Sequence, residues 1–496
     1  MPVKRIRSVK PVGILFCMTL VGVLAWGIWG RAGKQSAPVC RDCNVILVSL
    51  DTLSGMHLPC LGYEKNTAPN LCAFGRSNVL FEHAYGNANY TLPTHVSLFT
   101  GAYPSTHGIT KEDETKLSES FPFLPSILKA QGYATTFFME DGNPHMPRDR
   151  VYSRGIDTVL DSRETPLSEA LLKFEGQVGI GKKSFLFIHS YYVHPPYKEE
   201  DVPATLRNGA YSWMLWRESD VRDVSDTFLV NMKLALRNDI INQVYADPNP
   251  YERMLSALTD LGDDFTAQRR LVSKHPRILS EYRDKYDPLI RVNTADRDEL
   301  DYLRSLYDER IRSLDSGPIA QLLEFVKNPA IAKNTVVIVV SDHGEDFGEH
   351  GQISHTTLYD TNTRVLWMMA APGIAARTVS EYVQTVDVTP TLLALLGISE
   401  AGKFDGLNVM ETLTGGRINP RILVAQKGNQ VAVRSGKWKL FVDTRSPELI
   451  PTELYDTERD PWETENVLFA NLKLSQAMLR QYETAFPADA GLNTPR

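Results

Sequence analysis

Two short polar segments follow apolar, β-branched runs and carry residue types that bind divalent metals. The run 335–341 ends at Asp342-His343, and the run 44–50 ends at Asp51. Carboxylate and imidazole groups together favour Zn²⁺ or Mn²⁺, whereas oxygen ligands alone would suit Ca²⁺ or Mg²⁺. The alternative for either segment taken alone is a polar strand end followed by a solvated loop. Two such ends in one chain favour a shared site for a divalent metal ion.

A candidate nucleophile lies between these segments in the sequence. Thr91 stands ahead of Pro93 and an amphipathic helical run. At a helix N-terminus, unpaired backbone N–H groups and the helix dipole favour an anion and an ionised nucleophile. The alternative is that Thr91 only caps the helix. The order of the three segments along the chain favours a nucleophilic hydroxyl group.

The apolar runs are typical of strands buried on both faces of a parallel sheet. Further runs at 134–139, 184–190 and 365–370 alternate with helical stretches. This alternation predicts an α/β fold with a doubly wound, mostly parallel sheet flanked by helices. Such sheets bind ligands at the carboxyl ends of their strands, which is where the two acidic segments lie.

The pattern changes along the chain and predicts its organisation. A catalytic domain at 44–403 contains a charged insertion at about 197–300 that lacks strand-like runs. This insertion is either a helical roof over the site or a solvated excursion. Short runs at 422–425, 430–433 and 438–442, separated by glycine-containing turns, predict a small antiparallel sheet. With the terminal helix it forms a C-terminal α+β subdomain at 404–496.

Composition and charge limit the class of protein. The chain is 43% hydrophobic and 23% charged, as in ordinary globular proteins. Its net charge is −7, and we find no cluster of lysine and arginine outside the N-terminus. A nucleic-acid partner is therefore not expected.

The N-terminus has the pattern of a membrane anchor. The first ten residues contain basic and no acidic side chains, and the run 12–30 is uncharged. This predicts a cytoplasmic basic tail at 1–11, a transmembrane helix at 12–30 and a linker at 31–43. The catalytic domain would then lie on the extracytoplasmic side, periplasmic or extracellular. A cleaved signal peptide is the alternative, although its apolar core is usually only about 7–15 residues long.

Four cysteines follow this segment, on the side of the membrane that permits disulfides. Closeness in sequence favours the pairs Cys40–Cys43 and Cys60–Cys72 among the three pairings that four cysteines allow. A zinc cluster and a redox-active Cys40-x-x-Cys43 motif are the alternatives.

A series of short motifs runs in order along most of the chain. These are Asn44–Asp51, Gly62-Tyr63 with Thr67–Asn70, Thr91–Gly101, His194–Tyr197, Ser341–Gly351, His355 with Leu358–Asp360, Asp387–Thr391, Asp405-Gly406, and Gly436–Leu440 with Leu454–Asp456 and Asp460-Pro461. In this order they resemble the sulfatase family within the alkaline-phosphatase superfamily. The resemblance implies a metal-dependent ester hydrolase with an alkaline-phosphatase-like fold.

One departure from the family changes the expected chemistry. Sulfatases carry a Cys or Ser that is oxidised to formylglycine where this chain has Thr91, and a Ser and an Arg where it has Thr94 and His95. Threonine cannot become that aldehyde by the same route. Members with threonine here resemble the phosphoryl-transferring branch, in which the hydroxyl group itself attacks phosphorus. Ala102 also replaces a basic residue that often follows the helix.

Residues and resemblance together give a set of ligands for one metal ion. The expected ligands are Asp51, Thr91, Asp342 and His343. A bound metal would lower the pKa of the threonine hydroxyl group and neutralise an oxygen of the attacked group. Two-metal phosphodiesterase relatives carry an Asp where this chain has Ser190, which favours a single metal.

Three histidines are catalytic candidates beside Thr91. His194 and His355 are left free for the substrate, and His355 matches a position where sulfatases often place a lysine. An imidazole there would hold a phosphoryl oxygen or protonate the leaving group, with a pKa near working pH. His95 follows the nucleophile segment. For each histidine alone, a hydrogen-bonded structural imidazole is the alternative.

These features support three hypotheses. The first is a membrane-anchored, metal-dependent hydrolase or transferase that acts on a phosphate ester, on a small molecule, glycan or lipid, through a covalent Thr91 intermediate. The second is a sulfate-ester hydrolase that works without formylglycine. The third is a non-catalytic binding protein that retains the fold.

Overall fold

The computed structural model describes residues 40–111, 117–140, 153–195, 197–198, 215–216, 249–261, 268, 271, 297–399, 402–446 and 448–487. Its strands are β1 Asn44–Leu50, β2 Val79–Tyr85, β3 Ala134–Met139, β4 Thr158–Asp161, β5 Ser184–Ser190, β6 Tyr197–Lys198, β7 Leu215–Trp216, β8 Thr335–Ser341, β9 Asp346–Phe347, β10 Ile353–Ser354, β11 Arg364–Val365, β12 Trp367–Ala370, β13 Arg377–Gln384, β14 Ile422–Lys427, β15 Gln430–Ser435, β16 Trp438–Asp443 and β17 Ile450–Asp456.

The helices are α1 Pro69–Ser77, α2 Thr91–Thr100, α3 Pro104–His107, α4 Leu124–Ala130, α5 Leu167–Gly179, α6 Asn249–Asp260, α7 Arg297–Leu314, α8 Ala320–Val326, α9 Pro329–Ala332, α10 Asp360–Thr363, α11 Val388–Leu395, α12 Met410–Leu413 and α13 Leu472–Ala485. A π-helical turn, Asp315–Ile319, joins α7 to α8.

A nine-stranded sheet positions the acidic segments. Its order is β11-β2-β12-β8-β1-β5-β3-β4, with β13 paired to β2. At its centre β1 pairs in parallel with both β5 and β8. The strand β12 is antiparallel to β8 and β2, so the sheet is mixed, with a parallel core.

The predicted strands are confirmed, and three more join the sheet. The runs 44–50, 134–139, 184–190 and 335–341 are β1, β3, β5 and β8, and the run 365–370 is divided between β11 and β12. The strands β2, β4 and β13 were not predicted. In β2, the half-buried Glu82 and His83 interrupt the apolar pattern that marks the central strands.

Alternating side chains of the central strands form two separate hydrophobic cores. Val45 and Leu47 of β1 lie in one core, and Ile46 and Val48 lie in the other. Residues of α2, α4 and α11 pack into the first core, and residues of α1, α5, α7 and α8 pack into the second. Helices therefore cover both faces of the sheet, as the doubly wound prediction requires.

The C-terminal region forms the predicted antiparallel sheet. The strands β14, β15, β16 and β17 pair in sequence order, and the last was not predicted. Met478 and Tyr482 of α13 pack on this sheet, in a cluster that also contains Tyr103 and Val386. The C-terminal sheet is thus packed against the larger domain and belongs to the same compact unit.

Two predicted regions, the N-terminal region and the insertion, lie mainly outside the described residues. The first comprises the tail at 1–11, the transmembrane helix at 12–30 and all but the end of the linker at 31–43. Within the described ranges, no helix is both long and apolar enough to cross a membrane. Of the insertion at 197–300, the structure describes β6, β7, α6, residues 261, 268 and 271, and the beginning of α7.

The four cysteines form two disulfides. Cys40 is paired with Cys43, and Cys60 is paired with Cys72. The pairing predicted from sequence proximity is confirmed, and the zinc-cluster alternative is wrong. The Cys40–Cys43 disulfide directly precedes β1 in the sequence, and the Cys60–Cys72 disulfide follows it.

Candidate metal centre and nucleophile

The two acidic segments meet at one edge of the sheet because their strands are parallel neighbours in register. Leu50, the last residue of β1, pairs with Ser341, the last residue of β8. Asp51 and Asp342 come next in the chain and are both buried. His343 is fully buried beside them, and its Nε2 atom lies 3.9 Å from Asp51 Oδ1 and 3.6 Å from Asp342 Oδ2.

Thr91 completes this cluster as the first residue of α2. Its Oγ1 atom lies 3.4 Å from Asp51 Oδ2 and 3.4 Å from His343 Nε2. The N-cap position belongs to Tyr90, whose side chain makes no capping hydrogen bond. Thr91 is therefore not the cap of the helix, and its hydroxyl group faces the two acidic strand ends.

The donor set fits a divalent cation. Three side chains, those of Asp51, Asp342 and His343, each offer one ligand atom. These atoms all lie within 4.8 Å of one another. Asp51 Oδ1 and Asp342 Oδ2 are buried and have no hydrogen-bond partner among the described residues. Buried carboxylate oxygens are normally hydrogen-bonded or bind a metal. Two such oxygens beside an imidazole and a hydroxyl group are what a metal site needs.

The histidine is oriented for this role by its own loop. His343 Nδ1 donates a hydrogen bond to Gly344 O at 3.0 Å, which leaves the lone pair of Nε2 directed at the cluster. Burial raises the pKa of Asp51 to about 7, although the charge of His343 opposes the effect. A cation held there would favour the ionised carboxylate that coordinates it.

His355 lies next to the cluster, and His194 lies next to His355. The ring of His355 is 4.7 Å from the ring of His343 and 5.3 Å from the ring of His194, measured between centroids. Burial lowers the pKa of His355 to about 4, with Asp342 raising it and Lys427 lowering it. This pKa lies below the value near working pH that the sequence led us to expect, so burial favours the neutral form of the imidazole.

His95 lies beneath Thr91, the candidate nucleophile. Its Nδ1 atom donates to the Thr91 carbonyl group at 2.7 Å, and its Nε2 atom accepts from Ser49 Oγ at 2.8 Å. The ring is fully buried, and burial lowers its pKa to about 4. Both nitrogens are used within the protein, which is the geometry of a structural imidazole that holds the first turn of α2.

The structure adds residues that the sequence analysis missed. Glu345 is buried with Oε2 3.3 Å from His355 Nδ1, and Asn89 donates from Nδ2 to the His355 carbonyl oxygen at 2.6 Å. Glu345 belongs to the motif Ser341–Gly351 noted above, so its position could have suggested a role. Lys427 reaches the same loop from β14 and donates to Thr356 O. No local pattern distinguishes it from other lysines.

Ser190 has a partner of its own. Its Oγ atom donates to Glu140 Oε2 at 2.5 Å, from the end of β5 to the end of β3. The position where two-metal relatives carry an aspartate is therefore occupied here by a hydroxyl group that is already hydrogen-bonded.

Comparison with known proteins identifies the architecture. A family model described as Sulfatase matches residues 43–398. A choline-sulfatase from Rhizobium meliloti is 24% identical over 451 residues, covering 86% of this chain and 82% of that protein. The structure resembles a phosphonate monoester hydrolase from Silicibacter pomeroyi with a TM-score of 0.60 and 16% identity, covering 89% of this chain and 96% of the other. A phosphonate monoester hydrolase of Agrobacterium radiobacter is similar with a TM-score of 0.58 and 17% identity, covering 90% of this chain and 96% of the other.

Proposed function

This chain belongs to the sulfatase family, and we propose that it is a metal-dependent enzyme that attacks a phosphate ester with the hydroxyl group of Thr91. Ester hydrolysis is the activity of the family as a whole. The single observation that supports the phosphate-ester assignment is the position of Thr91 Oγ1, within 3.4 Å of both Asp51 Oδ2 and His343 Nε2. A threonine cannot supply the aldehyde group of a formylglycine sulfatase, but its hydroxyl group can attack phosphorus.

The surrounding residues are suited to the first half-reaction. Thr91 Oγ1 donates to Asp51 Oδ2, so the hydroxyl proton has an acceptor when the Oγ1–P bond forms. The P–O bond to the alcohol breaks in the same step, and the leaving alkoxide takes up a proton from solvent. A cation bound by Asp51, Thr91, Asp342 and His343 would make the hydroxyl group more acidic and would offset charge on the transferred group.

Histidine side chains next to the cluster help to hold the substrate in this scheme. His355, next to His343, is placed to contact a phosphoryl oxygen, and His194, next to His355, is held by hydrogen bonds with the Pro195 carbonyl and the Tyr191 hydroxyl group. Water then attacks the phosphothreonine in a hydrolase, and an acceptor alcohol does so in a transferase. Two similar structures are phosphonate monoester hydrolases, which supports the proposal that this fold accommodates a reaction at phosphorus.

A sulfate ester is the second candidate substrate. The relative named choline-sulfatase favours it, since it is similar to this chain over most of both lengths. A sulfatase using Thr91 would have to release sulfate from an ordinary ester rather than from a hydrated aldehyde. A panel of phosphate monoesters, phosphate diesters, phosphonate monoesters and sulfate esters separates the two candidates by their kcat/KM values.

The decisive experiment uses three variants of helix α2. Thr91→Ala is expected to lower kcat by roughly 10³-fold or more, while Thr91→Ser, which retains the hydroxyl group, keeps part of the activity. Thr100→Ala is the matched control, because Thr100 is also buried in α2 and, among the described residues, its hydroxyl group binds the Val96 carbonyl and the Ala102 amide alone. It should leave kcat unchanged.

Mass spectrometry provides the second readout. Protein quenched during turnover should carry a phosphate adduct on the peptide that contains Thr91. Wild-type rates for Thr91→Ala on every ester of the panel would refute covalent catalysis. A sulfate adduct instead of a phosphate adduct would establish the second candidate.

The anchor forms part of the proposal. The basic residues before the uncharged run 12–30 support a cytoplasmic N-terminus and an extracytoplasmic catalytic domain. The disulfides Cys40–Cys43 and Cys60–Cys72 support the same placement, because disulfides persist in oxidising compartments. The substrate would then be a small-molecule, glycan or lipid ester outside the cytoplasm.

A further inference from the structure

Thr52, which follows the metal ligand Asp51, has an unusual backbone conformation. Its φ angle is 55°, in the left-handed region. β-branched residues rarely adopt this region, because their side chains collide with the backbone there. Such a conformation persists only where surrounding contacts hold it, and it is most common at functional sites.

Tyr307 supplies the contacts that hold this turn. Its hydroxyl group donates to Thr52 O at 2.5 Å and accepts from Ser54 N at 2.8 Å. The ring is fully buried in α7 and packs against His57 and Phe347. One hydroxyl group thus bridges the backbone on both sides of Leu53, across more than 250 positions of sequence.

The left-handed conformation of Thr52 also orients a proposed metal ligand, Asp342. Thr52 N donates to Asp342 Oδ1 at 3.1 Å, and His343 N donates to the same oxygen at 2.8 Å. The other oxygen, Asp342 Oδ2, is buried, has no hydrogen-bond partner among the described residues and lies 3.6 Å from His343 Nε2. The Thr52 amide therefore helps decide which carboxylate oxygen is available to a cation.

We propose that Tyr307 is a positioning residue for the metal site, acting through the Thr52 turn on Asp342. The inference rests on the proposed metal site, and it adds a residue that touches neither the cation nor the substrate. Two further contacts of α7 reach the same region. Asp308 accepts from His57 Nδ1 at 2.8 Å, and Arg304 lies 3.1 Å from Glu349. The helix is tied to the loops that follow both β1 and β8.

The test is the affinity of the full-length protein for Zn²⁺, measured by competition with a chromophoric chelator. Tyr307→Phe keeps the ring and its packing and removes only the hydroxyl group. Loss of an orienting contact typically weakens metal binding by about 10–100-fold, and we expect a loss of that size. Raising the Zn²⁺ concentration should then restore most of the reaction rate.

Tyr133→Phe is the matched control. Tyr133 is buried, and its hydroxyl group also donates to a backbone carbonyl, Cys43 O at 2.7 Å, away from the metal cluster. The two variants should lose similar thermal stability, but only Tyr307→Phe should lose Zn²⁺ affinity. Equal Zn²⁺ affinity in both variants would overturn the positioning role and leave Tyr307 as a packing residue. Absence of binding by the wild-type protein for Zn²⁺, Mn²⁺, Ca²⁺ and Mg²⁺ alike would instead refute the metal site itself.

Discussion

Replacing Asp360 by asparagine is expected to destabilise the protein by about 3–5 kcal/mol, because it leaves a buried cation without its partner. The Asp360 carboxylate accepts from Arg434 Nη2 at 2.5 and 2.6 Å and from Lys439 Nζ at 2.7 Å. Lys439 Nζ also lies 3.0 Å from Glu463 Oε1. These four side chains, two acids and two bases, are all at most 5% exposed.

Two observations support the size of this loss in the free energy of unfolding. Burial works against the charge of Asp360, but Arg434 and Lys439 outweigh it and hold the pKa of this carboxyl group well below its usual range. Asp360→Asn removes one of two negative charges and leaves two buried cations with Glu463 alone. An uncompensated charge in an interior of low polarity cannot regain its solvation, which places the loss at the upper end for a single substitution.

Chemical denaturation followed by tryptophan fluorescence measures the effect. The midpoint should fall while the denaturant dependence stays the same, since the surface exposed on unfolding does not change. Asp443→Asn is the control, because Asp443 contacts Arg445 in the same C-terminal sheet but at the surface, where Arg445 is 74% exposed. The control should be indistinguishable from wild type. An Asp360→Asn midpoint equal to that of the control would refute the reasoning.

Two further predictions concern acid stability and membrane topology. Burial lowers the pKa of His107 from 6.5 to about 3, so the unfolded chain binds a proton at higher pH than the folded protein. Stability contributed by neutral His107 is complete above pH 6.5 and is lost as the pH falls, by about 2 kcal/mol at pH 5. His107→Gln should flatten the pH dependence of the thermal midpoint between these values, and an unchanged slope would contradict the assignment. For the anchor, a reporter fused after Arg41 should be active only outside the cytoplasm, and the full-length protein should sediment with membranes. A soluble protein that begins near residues 37–40 would show a cleaved signal peptide instead.

The central strands were predictable because their burial leaves a local signature. Strands covered on both faces consist almost entirely of apolar residues, and β1, β3, β5 and β8 were each predicted with their observed ends. The strands β2, β13 and β17 carry half-exposed or exposed positions among their apolar residues. Their pairing depends on distant segments of the chain, which no local pattern reports.

In the candidate site, too, some features could be predicted from the sequence and others could not. Asp51 and Asp342 could be placed together because parallel strands bring their carboxyl ends to one edge. The protonation state of His355 could not be predicted, because it depends on burial by the surrounding fold and on Lys427, which comes from the C-terminal sheet. His95 was adjacent to the nucleophile in sequence, but the turn of α2 directs its ring into the protein.

The site is held from two sides by residues remote from the chemistry. On one side, Tyr307 binds the turn that follows β1. On the other, Thr361 and Asn362 of α10 donate to Asp346, and Asn362 O accepts from Gly344 N at 2.7 Å, next to His343. The helix α10 begins at Asp360, the centre of the buried ionic cluster.

These restraints are needed because the site itself disfavours folding. Carboxylate oxygens buried without a hydrogen bond raise the free energy of the folded state when no cation is bound, and a left-handed threonine adds backbone strain. The proposed ligands can be identified from the sequence because they follow buried strands or begin a helix. Their relative positions cannot be predicted from the sequence, because these positions depend on α7 and on the charges that join α10 to the C-terminal sheet. The proposed metal site is therefore a property of the whole folded unit, and substitutions far from Thr91 are expected to weaken it without touching a proposed ligand.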